Sequence, residues 1–166
     1  MGYTIAICDD DKTMADKLTA SLKNEFMKAG RNDVIIDYYD TGVQLLEALK
    51  NKMYKAVLLD INMEPMDGFA VAEAIGKSGY RTKIIFVTSH EDVVYDTFDY
   101  TPFYFIRKSR YETYVQRVVK KLIAIDGYEK TIVLDDKDGI ININSGDITY
   151  VHSEDHYLTV HTADGN

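Results

Sequence analysis

The 166-residue chain is poor in several things that would each define a class of protein. It has one cysteine, Cys8, which can staple nothing within the chain and suits a reducing compartment. Its longest apolar runs, such as Ile84-Ile85-Phe86-Val87, fall far short of the roughly 20 residues a membrane helix needs. Met1-Gly2-Tyr3 leads straight into a strand-like run, without the basic stretch and apolar segment of a secretory leader. No internal repeat or low-complexity stretch is present. What remains is ordinary globular composition, 46% hydrophobic and 28% charged, which excludes disordered and collagen-like classes. The length suits one domain, or one domain and a fragment. A soluble, cytoplasmic chain with no membrane partner is expected.

Positive charge is scarce in one place only. Residues 1–125 carry 17 Lys and Arg against 18 Asp and Glu, whereas residues 126–166 carry 2 against 9. So acidic a tail repels phosphate backbones and is a poor nucleic-acid binder by itself.

Within residues 1–125, strand-like and helix-like patterns alternate. Strands are expected at Tyr3–Cys8, Asp33–Tyr39, Ala56–Leu59, Lys83–Thr88 and Phe103–Ile106. Between them Met14, Leu18, Leu22 and Phe26 repeat at i, i+4. Val43, Leu46 and Leu49 mark a second helix opened by Thr41-Gly42, and a third runs near Gly68–Lys77 up to Ser78-Gly79. A fourth is expected around Asp92–Tyr100, and Tyr111, Val115, Val118, Val119 and Leu122 mark a last one. Five such units imply an α/β fold, a doubly wound five-stranded parallel sheet with helices on both faces. After Asp126-Gly127 the rhythm changes to short strands, Thr131–Leu134, Ile140–Ile143, Ile148–His152 and Tyr157–His161, with Asp138-Gly139 as a tight turn. This is a C-terminal all-β segment.

In an open parallel sheet, functional groups gather at the carboxyl ends of the strands. Those ends hold Asp9-Asp10-Asp11, Asp60, Thr88-Ser89 and Lys108. Clustered carboxylates need a cation, and oxygen-only ligands favour Mg²⁺ over zinc or copper. A carboxylate beside such a metal can attack a phosphoryl group and become an acyl phosphate. A hydroxyl and an ammonium, from Thr88 and Lys108, would hold the phosphoryl oxygens. Each residue has a duller reading: Asp11 as a helix cap, Thr88 as a β-branched strand residue, Lys108 as a solvated charge. Their joint placement, in order along the chain, is what points to a site. Cys8, inside a buried strand beside carboxylates, reads as core rather than redox. His152, His156 and His161 lie close together with Asp155, but the odd separation of His156 and His161 puts them on opposite strand faces, against a zinc site.

These residues carry a resemblance. The first 125 residues resemble the receiver domain of two-component response regulators, flavodoxin-like in fold. Ile5-Ala6-Ile7-Cys8-Asp9-Asp10-Asp11 is similar to its acidic first loop, and Leu58 to Gly68 to its phosphoacceptor loop. Ile85-Phe86-Val87-Thr88-Ser89 and Phe105-Ile106-Arg107-Lys108 resemble its switch strands. The resemblance implies a phosphoacceptor switch rather than an enzyme, in which Asp60 takes phosphate from a sensor histidine kinase. It implies Mg²⁺ held by Asp9, Asp10, Asp60 and the Asn62 carbonyl, Thr88 and Lys108 on the phosphoryl group, and Phe105 as the aromatic that turns inward. Asn62 and His90 flank the site and are expected to tune the acyl-phosphate lifetime. Dimerisation on phosphorylation is the expected output, with Tyr95, Tyr100 and Tyr104 near a partner surface. Two departures stand out: Glu64 occupies the usual place of Pro65, and Lys108 is followed by Ser109 rather than by the proline whose preceding bond is often cis.

The tail resembles the start of a LytTR-type DNA-binding domain, through Ile148 to Glu154 and Tyr157 to Gly165. That divides the chain into a receiver at 1–125, a linker at 126–130 and the first strands of the second domain at 131–166. More than half of that domain is missing, so DNA is expected to be a partner of the complete domain and not, specifically, of this fragment. Unpaired strand edges make the fragment weakly stable or paired with another chain. Two alternatives stay open. Asp9-Asp10-Asp11-Lys12-Thr13 also fits the opening motif of haloacid-dehalogenase-type phosphatases, with Asp9 as nucleophile and Asp135-Asp136 as a late acidic pair. A receiver that signals without DNA is the other.

Overall fold

The computed structural model describes residues 3–89, 100–126, 131–136, 139–154 and 157–162. The expected helix around Asp92–Tyr100 and His90 lie, but for Tyr100, outside the described residues. The chain divides into two units, residues 1–119 and 120–166. Among the described residues, no helix is long and apolar enough to cross a membrane.

The first unit is built on strands β1 (Tyr3–Cys8), β2 (Val34–Tyr39), β3 (Ala56–Asp60), β4 (Lys83–Thr88) and β5 (Tyr104–Arg107). They form one parallel sheet in the order β2-β1-β3-β4-β5, the doubly wound topology expected. Ile5, Ile7, Leu58, Leu59, Ile85 and Phe86 are fully buried in it, as strands covered on both faces require. Helix α1 (Lys12–Lys28) is started by Asp11, whose carboxylate accepts from the Met14 amide at 3.1 Å, and it buries Met14, Ala15, Leu18, Leu22 and Phe26.

Helix α2 (Gly42–Leu49) is capped by Thr41 but sits in a different phase from the one expected. Leu45 and Leu49 are buried with Gly42, Leu46 is only partly so, and Val43 is 52% exposed. The cause is close packing. A Cβ on Gly42 would lie 2.3 Å from Val71 Cγ2 of α3 (Gly68–Lys77), so the glycine edge of α2 faces that helix and Val43 turns outward. Gly68 is tighter still: a Cβ there would lie 2.2 Å from the Asp60 carbonyl oxygen and 2.9 Å from Ile61 Cα. The α3 N-terminus can therefore lie against the β3 exit only because this residue lacks a side chain.

Strand β5 starts one residue later than expected and ends at Arg107, so Lys108 opens a single 3₁₀ turn, Lys108–Arg110. Helix α4 (Tyr111–Asp126) follows; Val115, Val118, Val119 and Leu122 are buried while Tyr111 is only partly so. The Lys108–Ser109 bond is trans; among the described residues the cis bond is Glu64–Pro65.

In the second unit, β6 (Thr131–Asp136) pairs antiparallel with β7 (Gly139–Asn144), and β8 (Ile148–Glu154) with β9 (Tyr157–Thr162). Asp138, half of the expected turn, lies outside the described residues. Each hairpin is a separate two-stranded sheet, and large apolar side chains stand in solvent on both: Val133 at 61% exposure, Ile140 at 69%, Leu158 at 59%.

The glycine packing yields a test. Gly68→Ala is expected to destabilise the protein by about 1–3 kcal/mol, because backbone must move to admit the methyl group. Gly76→Ala, late in the same helix and with nothing within 4 Å of the added carbon, should be neutral or stabilising by up to about 1 kcal/mol. Urea unfolding of both variants measures the contrast.

Candidate functional site

Strand register assembles the site. Cys8 pairs with Leu59, so the residues that follow, Asp9 and Asp60, emerge side by side. Asp60 pairs with Val87, which puts Thr88 one step beyond it, and Thr88 pairs with Arg107, which puts Lys108 one step further. Four strand ends thus deliver two carboxylates, a hydroxyl and an ammonium to one edge of the sheet, as the sequence pattern implied.

Asp9, Asp60 and Thr88 are all buried, at 1%, 3% and 1% exposure. Lys108 Nζ donates to Asp60 Oδ2 at 2.9 Å and stands 2.9 Å from Asp9 Oδ2, an ion pair without hydrogen-bond alignment. Asp9 Oδ1 accepts from the Asp11 amide at 2.9 Å, and Tyr38 donates its hydroxyl to the Asp9 carbonyl at 3.1 Å. Asp11 itself is turned away as the cap of α1, as its duller reading held. Asp10 is exposed, yet Asp9, Asp10 and Asp60 each place an oxygen within 4.8 Å of the others, the one such cluster among the described residues.

The electrostatics follow from burial. Removal from water, and then the Asp9 charge, push the Asp60 carboxyl up to about 6, even though Lys108 and the Asn62 backbone pull the other way. Burial lowers the Lys108 ammonium, but the two carboxylates outweigh it and hold its pKa above the ordinary lysine value. The Cys8 thiol is pushed up to about 12 by burial and then by Asp9 and Asp60. It is fully buried with its Sγ 3.7 Å from Met63 Sδ, the core residue it was expected to be.

The donor set fits a hard divalent cation. Three carboxylates supply only oxygen, and one ammonium cannot balance them, so the cluster suits Mg²⁺ better than a thiolate- or imidazole-loving metal. Asn62 lies on the rim of a cavity of about 320 Å³ together with Asp10, Met63, Glu64 and Asp67. Phe105 is cross-strand partner to Phe86 and packs, half-buried, against the core on that side of the sheet. Tyr100 stacks on Phe69 at 5.2 Å and meets Phe86 edge-on, while Tyr104 meets Tyr114; Tyr95 and His90 lie outside the described residues.

Two further readings fall on the second unit. Asp135-Asp136 sit on the antiparallel β6 rather than at the end of a strand of the parallel sheet, where the phosphatase alternative would need its late acidic pair. His161 is paired with Tyr150 and stacks on its ring at 4.0 Å, and His156 lies outside the described residues. The sequence reading missed Tyr38, whose ring also carries the Lys12 ammonium at 4.5 Å. Period-two alternation in β2 was the only available hint.

Residues 5–120 match the response regulator receiver domain family. The transcriptional regulatory protein YpdB of Escherichia coli is 28% identical over 90 residues, which is 54% of this chain and 37% of YpdB. The chain thus matches little more than a third of that relative's length. The sensory transduction protein LytT of Bacillus subtilis is 22% identical over 174 residues, covering 96% of this chain and 69% of LytT. Among solved structures, the response regulator protein TrrA of Thermotoga maritima, in complex with Mg²⁺ and BeF, aligns with a TM-score of 0.58 and 28% identity, covering 72% of this chain and 98% of that one.

The raised Asp60 carboxyl gives a pH dependence of defined sign. A folded-state pKa above the unfolded value of 3.8 means that the folded form prefers the protonated acid. This contribution is whole below about pH 4 and is lost as pH rises through about 6. Asp60→Asn, neutral at every pH, should match the metal-free wild type near pH 4 and exceed it by about 1–3 kcal/mol above pH 7. Urea unfolding in chelator across that range reads the difference, and added Mg²⁺ should narrow it by binding the folded wild type. A difference that does not change with pH would contradict this account.

Proposed function

This chain belongs to the response regulator receiver domain family, and on that premise we propose that Asp60 is the phosphoacceptor of a two-component relay, charged by a sensor histidine kinase. The observation that carries the reading is the Asp60 carboxylate itself, buried at the β3 exit, bonded to Lys108 at 2.9 Å and clustered with Asp9 and Asp10.

An Asp60 oxygen attacks the phosphorus of a kinase phosphohistidine. The P–N bond breaks, its electron pair stays on nitrogen, and neutral imidazole departs because its other ring nitrogen carries a proton. Asp9, Asp10, Asp60 and the Asn62 carbonyl would hold Mg²⁺, which neutralises the charge on donor and acceptor oxygens when bound. The Lys108 ammonium, already seated between Asp9 and Asp60, holds a phosphoryl oxygen in place. The buried Thr88 hydroxyl is drawn toward a second oxygen. That movement opens room beside β4 for Phe105, and repacking spreads to β5 and α4, the expected helix around Asp92–Tyr100 lying, but for Tyr100, outside the described residues. Asn62 and His90 tune how readily water reaches the acyl phosphate.

The output we assign is dimerisation on phosphorylation, which brings two DNA-binding domains onto paired half-sites. Residues 1–125 form the receiver, 126–130 the linker, and 131–166 the first strands of a LytTR-type domain whose complete form regulates transcription. Support comes from the regulator relatives, from LytT aligning across 96% of this chain, and from the antiparallel hairpins of the tail. The acidic tail has little to offer a phosphate backbone, so specific DNA contact belongs to the complete domain.

Intact mass after incubation with Mg²⁺ and acetyl phosphate tests the phosphoacceptor. Wild type should gain one phosphoryl group, Asp60→Asn none, and Asp9→Asn far less, by at least about tenfold in rate, through loss of metal. Rapid turnover without an adduct, abolished by Asp9→Asn and untouched by Asp60→Asn, would instead make Asp9 the nucleophile.

A further inference from the structure

The cavity of about 320 Å³ at the mouth of the site is lined by Asp10, Asn62, Met63, Glu64 and Asp67, and no basic side chain among the described residues lines it. Its charge can be counted. Asp9, Asp10 and Asp60 against Lys108 leave two negative charges, which one divalent cation cancels. Glu64 and Asp67 are then surplus, two carboxylates on the rim with no counter-charge in the cavity lining. Both are exposed at the cavity rim.

Their positions are fixed by the chain on either side. Met63, at 5% exposure, is buried in the core and packs on Cys8, which holds Glu64 at the rim rather than on a free loop. The Asp67 carboxylate accepts from the Ala70 amide at 2.8 Å as the cap of α3, and Gly68 presses that helix start against the Asp60 carbonyl. A charge at a cleft mouth raises or lowers the local concentration of a charged reactant before any chemistry occurs.

We propose that Glu64, assisted by Asp67, is a specificity determinant: its charge repels small dianionic phosphodonors from Asp60 and so biases phosphorylation toward a protein donor. A protein can bring complementary surface to the rim and offset the repulsion across many contacts. A free acyl phosphate brings only its own charge. In transfer from acetyl phosphate, Asp60 oxygen forms the new bond to phosphorus while the bond to the acetyl oxygen breaks and acetate leaves with the electron pair. The rim acts before that step, on encounter.

The proposal rests on Asp60 being the phosphoacceptor, and the experiment separates the two. Phosphorylation rates with Mg²⁺ are followed by intact mass for wild type, Glu64→Gln, Glu64→Gln with Asp67→Asn, and Glu73→Gln, an exposed α3 carboxylate outside the cavity. Asparagine caps a helix as well as aspartate does, so Asp67→Asn keeps α3 intact. At low ionic strength Glu64→Gln should accelerate acetyl phosphate transfer roughly two- to fivefold and the double variant further, with Glu73→Gln unchanged. The gain should shrink in high salt, and should be smaller with phosphoramidate, which carries one charge fewer at neutral pH. Equal rates for wild type and Glu64→Gln, with an adduct that Asp60→Asn abolishes, would overturn the rim proposal and leave the phosphoacceptor intact. An adduct insensitive to Asp60→Asn, or none in any variant, would overturn both.

Discussion

Two carboxylates, Asp9 and Asp60, are buried side by side with one ammonium between them, and much of the first unit is arranged around that unfavourable placement. Charges taken out of water and imperfectly paired cost several kcal/mol, so a fold retains them only where the rest of the chain over-determines their positions. The rest does so here. The β1–β3 register fixes the relative height of the two acids, Gly68 lets α3 close over the Asp60 carbonyl, and an amide and Lys108 hold Asp9. Beneath them, Cys8, Leu59, Ile61 and Met63 form a dry layer that keeps water from relieving the strain from below. The result is a carboxylate that gains from any cation able to restore charge balance, and a cluster in which the added negative charge of a phosphoryl group would shift that balance again. That is the physical meaning of a switch: an arrangement held short of its electrostatic optimum.

Most of this was legible in the sequence because a parallel sheet converts chain order into spatial order. Each strand could be recognised from its apolar run, and each run ended at a chemically marked residue, so Asp9, Asp60, Thr88 and Lys108 had to meet. What was not legible depends on pairwise fit. The phase of α2 follows from Gly42 lying against Val71, a contact between helices separated by a strand, and three leucine or valine positions cannot reveal it. Tyr38 beneath the Asp9 carbonyl is of the same kind. So is the network in which Tyr39 and Tyr54 share a hydrogen bond at 2.6 Å and Tyr54 donates to Asp37, itself paired with Lys52. There the hydrogen bonds from Lys52 and Tyr54 outweigh burial and lower the Asp37 carboxyl, while burial and Asp37 raise the Tyr54 hydroxyl. Composition and periodicity carry no trace of it.

The second unit behaves in the opposite way. Its strands were legible from alternation, and their pairing in hairpins followed from proximity, but many of its described large apolar side chains stand exposed. Neighbours such as Ile140 and Ile141, or Tyr150 and Val151, point to opposite faces of a strand, and both members of each pair are exposed. A two-stranded ribbon has no interior, so alternation cannot be satisfied within it whatever the sequence.

The two units also differ in what charge does. In the first, carboxylates are concentrated at one edge and answered by Lys108, so that a small change in charge has a place to act. In the second, no comparable cluster of carboxylates is found among the described residues. This contrast is the reason we propose the phosphoryl chemistry at the β3 exit rather than at any of the many other aspartates. An aspartate becomes responsive not by being acidic but by being buried against another acid, within reach of one lysine, at a position the backbone cannot surrender. Asp60 meets all of these conditions: it is 3% exposed, it is raised to about 6 by burial and Asp9, and its carbonyl is pinned by the one residue type that fits at position 68.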